Sequence, residues 1–364
     1  MSFWFQETKL IMSNIPQITI DGRSISRNNS PYIIAEMSAN HNGSIENAKE
    51  IINSAKLSGA NAIKIQTYKP DTITLNHNSD EFKIKKGLWS GRTLYDLYEE
   101  AHMPWDWHKP LFDFAKEIGI SIFSSPFDKT AIDLLESLNA PAYKIASFEI
   151  VDTPLIKYAA STGKPLIIST GMANKNEIQE AINAAKDGGC SELAILHCVS
   201  GYPAPASDYN LKTLQDMEKE FNLVTGLSDH TLENVTAISS IAIGASIIEK
   251  HFTLDRENGG PDDSFSLEPA DLKDLCESTK IAWESLGKID YHHKKSEVDN
   301  IQFRRSLYYV TDMKKGDIIT DECIRSVRPG FGESPNKLEV IVGRKLNKDI
   351  TFGTPVNISD IESE

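Results

Sequence analysis

Cysteine is scarce in this chain: four residues, Cys190, Cys198, Cys276 and Cys323, with no CxxC pair among them. That spacing offers no disulfide framework and suits a reducing compartment. Long apolar runs are missing too. None approaches the ~20 residues that a membrane span requires, so no membrane partner is expected and the localisation to expect is cytoplasmic. Positive charge is in deficit, with 38 Lys and Arg against 52 Asp and Glu and a formal net charge of −14. No basic stripe offsets that balance, which argues against nucleic acid as a partner. An anionic substrate would therefore need particular lysines and arginines placed at its site. Low-complexity tracts and a Gly-rich GxGxxG turn are absent. The N-terminal MSFWFQETKLI lacks the charged and apolar regions of a signal peptide, and Met12 would make a sensible start.

What is present is one repeating unit. Residues 17–26 hold two short alternating segments around Asp21-Gly22, a strong hairpin signal. Strand-like apolar runs follow at 32–38, 62–68, 120–127, 142–149, 165–171, 193–199, 223–230 and 246–253. Each is followed by an amphipathic helical stretch, and the last of these ends at Gly287. Eight strands alternating with eight helices imply an α/β protein built as a parallel (β/α)8 TIM barrel, with the hairpin capping its bottom. A doubly wound open sheet is the competing architecture. Residues 69–104 form a long connection on the rim where such barrels keep their chemistry, and loops of that length are usually functional. Composition then divides the chain into an N-terminal extension and hairpin (1–30), the barrel (31–287), a polar linker (288–303) and a small β-rich domain (304–364).

Several polar residues sit inside these apolar strands. LVTGLSDH and SIIEKHFT end on or near His230 and His251, on adjacent strands of one βαβ unit. Two imidazoles on one rim, with Asp255, Asp262 and Asp263 beyond, can hold a divalent cation. Lys64, Lys144 and Lys250 lie within strands, although lysine is seldom buried without a partner. Gln66 shares a face with Lys64 by the two-residue period. Glu36 and Glu149 occupy equivalent rim positions, and Ser125, Ser147, Ser169 and Thr170 add hydroxyls. Cations and hydroxyls round one rim suit a phosphate or carboxylate ligand. His197, in mid-strand, reads as structural, and His41, in NHNG, as a turn residue or a weaker site candidate. A Schiff-base lyase and a non-catalytic carbohydrate-binding protein are the readings from other classes. The first needs no metal, and the second needs neither the lysines nor the histidines.

The motifs AEMSANHNG (35–43), IKIQTY (63–68), SSPFD (124–128), YKIASFE (143–149), ISTGM (168–172), GLSDHT (226–231), EKHFTLDR…GGPD (249–262) and VRPGFG (327–332) together closely resemble the nonulosonic (sialic-type) acid synthases. The resemblance runs from about Ile18 to the end. It implies a metal-dependent transferase that condenses phosphoenolpyruvate with the open-chain aldehyde of a six-carbon amino sugar and releases phosphate by C–O cleavage. It also implies that the C-terminal domain has the antifreeze-like (SAF) fold and crosses to the neighbouring barrel in a domain-swapped homodimer. By motif match, His230 and His251 would bind Mn²⁺, with Mg²⁺ or Co²⁺ as substitutes. Lys64, Lys144, Ser125, Ser147 and Ser169 would hold phosphoenolpyruvate. Gln66, Glu149, Tyr202 and Asp262 would line the sugar site, Ser228 would join the substrate-binding set, and Glu36 would be the acid/base. Arg328 would reach a partner's site to meet an N-acyl group.

Within that family, residues 87–108 resemble the branch that makes pseudaminic acid, which implies 2,4-diacetamido-2,4,6-trideoxy-L-altrose as the sugar. Trp89, Tyr95 and Trp105 would then cover a less polar ligand. Ser200 replaces the asparagine expected in the N-acetylneuraminate branch, a departure that agrees with a different sugar. N-acetylneuraminate and legionaminic acid synthases are the nearest alternatives.

Overall fold

Asp21 and Gly22 both take positive φ, 47° and 74°, the backbone that a two-residue hairpin turn demands. They join β1 (Ile18–Ile20) to β2 (Arg23–Ile25), paired antiparallel with Ile18 opposite Ile25. The computed structural model describes residues 15–362; the role of Met12 and the rest of 1–14 lies outside them. The chain forms two units, one ending at Gly287 and the other beginning at Lys288.

In the first unit eight parallel strands close into a barrel: β3 (Tyr32–Glu36), β4 (Ala62–Thr67), β5 (Ser121–Pro126), β6 (Tyr143–Ile145), β7 (Leu166–Ser169), β8 (Leu193–Cys198), β9 (Val224–Asp229) and β10 (Ile247–His251), with β10 pairing back to β3. The barrel thus displaces the open sheet. Period-two alternation gives each strand two buried faces. Ile33, Ile63, Ile122 and Ile168 pack outward on the helix layer. Ile34, Ala62, Phe123, Ile167 and Ile247 point inward and meet Ile18, Ile20 and Ile25 of the hairpin, which plugs the end where the strands begin. Thr19 N–H donates to Glu192 Oε1 at 2.7 Å and ties the plug to the barrel.

The long connection after β4 is folded. It contains helix Pro70–Ile73, a 3-10 turn at Asp80–Phe82, a bridge between Lys83 and Thr93, and helix Leu94–Ala101. Thr93 accepts the Asp96 N–H and starts that last helix.

In the second unit β11 (Ser306–Tyr309) and β12 (Ile324–Val327) pair antiparallel over a core that includes Leu307, Tyr309, Ile319, Leu346 and Val356. The segment read as a linker is more ordered than its composition suggests: Lys295–Phe303 winds as 3-10 helix, with the Glu297 carboxylate accepting the Lys294 N–H. Among the described residues no helix is long and apolar enough to cross a membrane.

Candidate active site

Most inward positions near the carboxyl end of the barrel strands carry a polar group, and register decides which ones meet. His251 stands beside Glu36, Glu36 beside Lys64, Gln66 beside Ser125, and Glu249 beside Ser228. Lys64 Nζ lies 3.1 Å from Glu36 Oε2, 3.2 Å from Ser125 Oγ and 3.4 Å from Glu249 Oε1. Lys144 Nζ donates to Glu249 Oε1 at 3.0 Å, and Ser228 Oγ donates to the same oxygen at 3.2 Å. Gln66 Nε2 donates to Glu36 Oε1 at 2.8 Å and to Ser38 Oγ at 3.0 Å. Ser38 passes the network on to Asp262 Oδ2.

These groups are almost wholly buried, so their charge states follow from their neighbours. Burial alone would lower the Lys64 pKa, yet the carboxylates of Glu249 and Glu36 outweigh it and hold the value above the usual. Lys144, paired with Glu249 but buried and close to Lys64, is lowered. For Glu249 burial opposes ionisation, but the two ammonium groups overcome it and pull the carboxyl down to about 2. Burial pushes Glu36 up, with a further push from Glu249 against the pull of Lys64. Glu149 is raised to about 7, chiefly by burial. The site therefore sets a firmly protonated Lys64 beside carboxyl groups able to carry a proton.

The serines surround this cluster. Ser147 Oγ accepts the Gly171 N–H at 3.1 Å, and Ser169 Oγ and Ser200 Oγ are buried without a partner. A Cβ at position 171 would lie 2.2 Å from Ser200 Oγ and 2.8 Å from Ser147 Oγ, so only glycine lets these hydroxyls converge there. Tyr202 stacks over His230 with ring centroids 4.3 Å apart.

The rings of His230 and His251 lie 5.5 Å apart. His230 Nδ1 meets the Val199 carbonyl at 2.8 Å, an orienting bond that leaves Nε2 for a ligand. His251 Nδ1 is buried without a hydrogen-bond partner, 3.9 Å from Asp262 Oδ2. Burial and the positive neighbours His230 and Lys64 keep this imidazole neutral. The two inward imidazoles, with the Asp262 carboxylate close to His251, are the groups that would hold a divalent ion. Among the described residues no group of three or more His, Cys, Asp or Glu is gathered closely enough to hold one.

Four expectations are corrected. Lys250 faces the helix layer, where it pairs with Asp229 at 2.8 Å and donates to the Thr231 carbonyl; one residue of phase separates it from the interior. Thr170 spends its hydroxyl on the Leu196 carbonyl. Asp255 and Asp263 build the loop after β10, Asp255 accepting the Glu257 N–H and Asp263 binding Thr253, Asn42 and Gly260. Of the three aromatic residues, only Trp89 faces the cavity described next; Trp105 lies under the Lys69 ammonium, 4.3 Å away. His41 serves its turn, its Nδ1 accepting the Gly43 N–H, and His197 bonds the Tyr209 carbonyl. Arg328 lies in the second unit, exposed just after β12.

The cluster opens into a cavity of about 410 Å³. Gln66, Glu149, Tyr202, His251 and Asp262 reach it from the barrel, and residues of the 69–101 connection close it. Glu249, Ser38, Tyr68 and Tyr98 escaped the sequence reading. For Glu249 a signal existed, since it precedes His251 by two residues on one strand and so shares its inward face; Ser38 lies past the end of β3 in a turn, where the strand period no longer applies.

Residues 51–291 match the NeuB family and residues 304–362 the SAF domain. Among curated proteins, the chain is 43% identical to a pseudaminic acid synthase of Campylobacter jejuni, over 90% of this chain and 96% of that one. It is 37% identical to an N,N'-diacetyllegionaminic acid synthase of Legionella pneumophila, over 91% and 95%. A solved N-acetylneuraminic acid (sialic acid) synthetase of Leptospira borgpetersenii is similar at a TM-score of 0.70 and 30% identity, covering 80% of this chain and 96% of that one. The chain belongs to the NeuB family, its barrel followed by a SAF domain.

Proposed function

We propose that this chain condenses phosphoenolpyruvate with 2,4-diacetamido-2,4,6-trideoxy-L-altrose and water, giving pseudaminic acid and phosphate. One observation carries the reading: a well of buried lysines and converging hydroxyls opens into a larger cavity with mostly apolar walls. Such a pair of subsites suits a small polyanion beside a deoxygenated sugar. The relative named for pseudaminic acid stands at 43% identity, against 37% for the one named for legionaminic acid.

In this reading Lys64, Lys144, Ser125, Ser147 and Ser169 bind the phosphate and carboxylate, which offsets the cost of bringing a multiply charged anion out of water. Gln66, Glu149, Tyr202, Ser228 and Asp262 position the sugar. His230 and His251 hold a divalent ion, Mn²⁺ first, which when bound acts as a Lewis acid on the aldehyde oxygen. C3 of phosphoenolpyruvate bonds to the aldehyde carbon, and Glu36 gives the proton that turns the aldehyde oxygen into a hydroxyl. Water adds to C2 and returns a proton to Glu36; the C2–O bond to phosphate then breaks, the C2 hydroxyl proton leaves with the phosphate, and the α-keto acid remains.

The working form in this reading is a head-to-tail homodimer, with Arg328 of each chain reaching the other's sugar site. Phe148, Val151, Met172 and Leu232 stand exposed on the connections just after barrel strands, Val235 at the start of the helix after β9, and Phe331 and Phe352 on the second unit. Apolar residues exposed on both units suit burial in an assembly.

Phosphate release with Mn²⁺ tests the whole, comparing the altrose sugar, the legionaminic precursor and N-acetylmannosamine, each with and without EDTA. Release with the altrose sugar alone, lost in EDTA, is expected. Release with only one of the others would keep the chemistry and overturn the sugar; release with none would overturn both.

A further inference from the structure

We propose that the folded connection over the cavity is the specificity element, and that Ile84, Leu94 and Leu97 seat the C6 methyl of the sugar. This rests on the reading above, with C1 of a six-carbon amino sugar held beside His251. The cavity's carboxyl, amide and imidazole groups gather on its floor, while its roof is mostly apolar apart from Lys86. Its floor, on the barrel strands and the loops after them, offers Gln66, Glu149, His251 and Asp262. Its roof is the 69–101 connection. Helix Leu94–Ala101 turns Leu94, Leu97, Tyr98 and Ala101 to the cavity, the i, i+3, i+4, i+7 spacing of one helix face. Ile73 and Ile84 extend the same apolar surface.

The roof is held in place before any ligand arrives. Ile84 N–H donates to the Arg92 carbonyl at 2.9 Å, and Gly91 N–H to the Ile84 carbonyl at 2.9 Å. At the tip of that loop, Trp89 Nε1 donates to the Pro261 carbonyl at 3.0 Å, beside Asp262 of the floor. The Tyr68 and Tyr98 rings meet edge-on, 5.7 Å apart, and join floor to roof. With the aldehyde carbon on the floor, the far end of the carbon chain is the part that meets the roof. A methyl there fills an apolar surface. A hydroxyl there loses water and finds aliphatic carbon, so discrimination of about 10- to 100-fold follows, the range an apolar pocket achieves against an added hydroxyl.

The test compares kcat/KM for the 6-deoxy sugar and its 6-hydroxy counterpart, identical at every other centre. The wild-type protein should favour the 6-deoxy sugar by at least about 10-fold. Ile84→Asn and Leu94→Asn, at half-buried positions, should each cut that ratio about 10-fold, mainly by raising KM for the 6-deoxy sugar, while Leu94→Met preserves it. Equal use of both sugars by the wild type overturns the proposal and leaves the parent reaction standing, as does a ratio unchanged in both folded Asn variants. No phosphate release with either sugar overturns the parent reading and this one together. The wild-type ratio decides even where a variant does not fold.

Discussion

The two halves of the barrel interior differ by one step of the strand period. Reading up the inward faces, Ile34 gives way to Glu36, Ala62 to Lys64, Ala142 to Lys144, Ile167 to Ser169 and Ile247 to Glu249. Below that line the barrel is filled by aliphatic side chains and the hairpin isoleucines, which need no partners. Above it nearly every side chain is polar, and the lysines are tolerated because the carboxylates of Glu36 and Glu249 meet them. The difference teaches how one barrel serves two demands. Apolar burial of ~1.5–3 kcal/mol per large side chain sits where substrate does not go, and paired charge sits where it does.

Breaking the metal site should give the largest effect. His251→Ala removes an inward imidazole from the upper half and touches none of the lower packing, so turnover should fall by at least about 10³-fold with the melting temperature nearly unchanged. Phosphate release and a thermal melt on the same sample check it. Full activity in the variant would remove His251 from the site.

A sharper version uses neighbours on one face of β10. Glu249→Ala leaves Lys64 and Lys144 without a shared counter-charge, which should cost about 3–5 kcal/mol of stability and most of the activity. Ile247→Ala, two residues below, should cost about 2–5 kcal/mol while the folded fraction keeps its kcat. Urea unfolding measures the first quantity and active-site-normalised turnover the second. Equal loss of kcat in both variants would erase the division between the halves.

Much of this division is legible in the sequence because period two is strict. Isoleucine, lysine, isoleucine in AIKIQTY fixes which residues share a face, and the same arithmetic makes His251 and Glu249 partners. Periodicity does not say which face is the interior. Lys250 therefore read like Lys64, although it belongs with Asp229 under the helices. The 69–101 connection was harder for another reason. Aromatic residues of 87–108 are the expected cover, but Tyr95 and Trp105 do not line the cavity and the apolar face of helix Leu94–Ala101 forms the roof. Short helices inside a long loop carry too few turns for their pattern to stand out.

The smallest predicted effect concerns the boundary between the halves and the sugar cavity, at Glu149. Its Oε2 is buried without a partner, and burial raises its pKa from 4.5 to about 7. In the unfolded chain the carboxyl loses its proton near 4.5; in the folded chain it keeps it until about 7. The folded state thus binds the extra proton, and stability falls as pH rises through that window. The contribution is fully present below about 4.5 and gone above about 7. Glu149→Gln keeps the shape and cannot ionise. Its melting temperature relative to the parent should therefore climb between acidic and mildly alkaline buffer and then level off. A difference that stays flat across that range would mean the carboxylate finds a partner or water, placing Glu149 with the well-paired carboxylates such as Glu249.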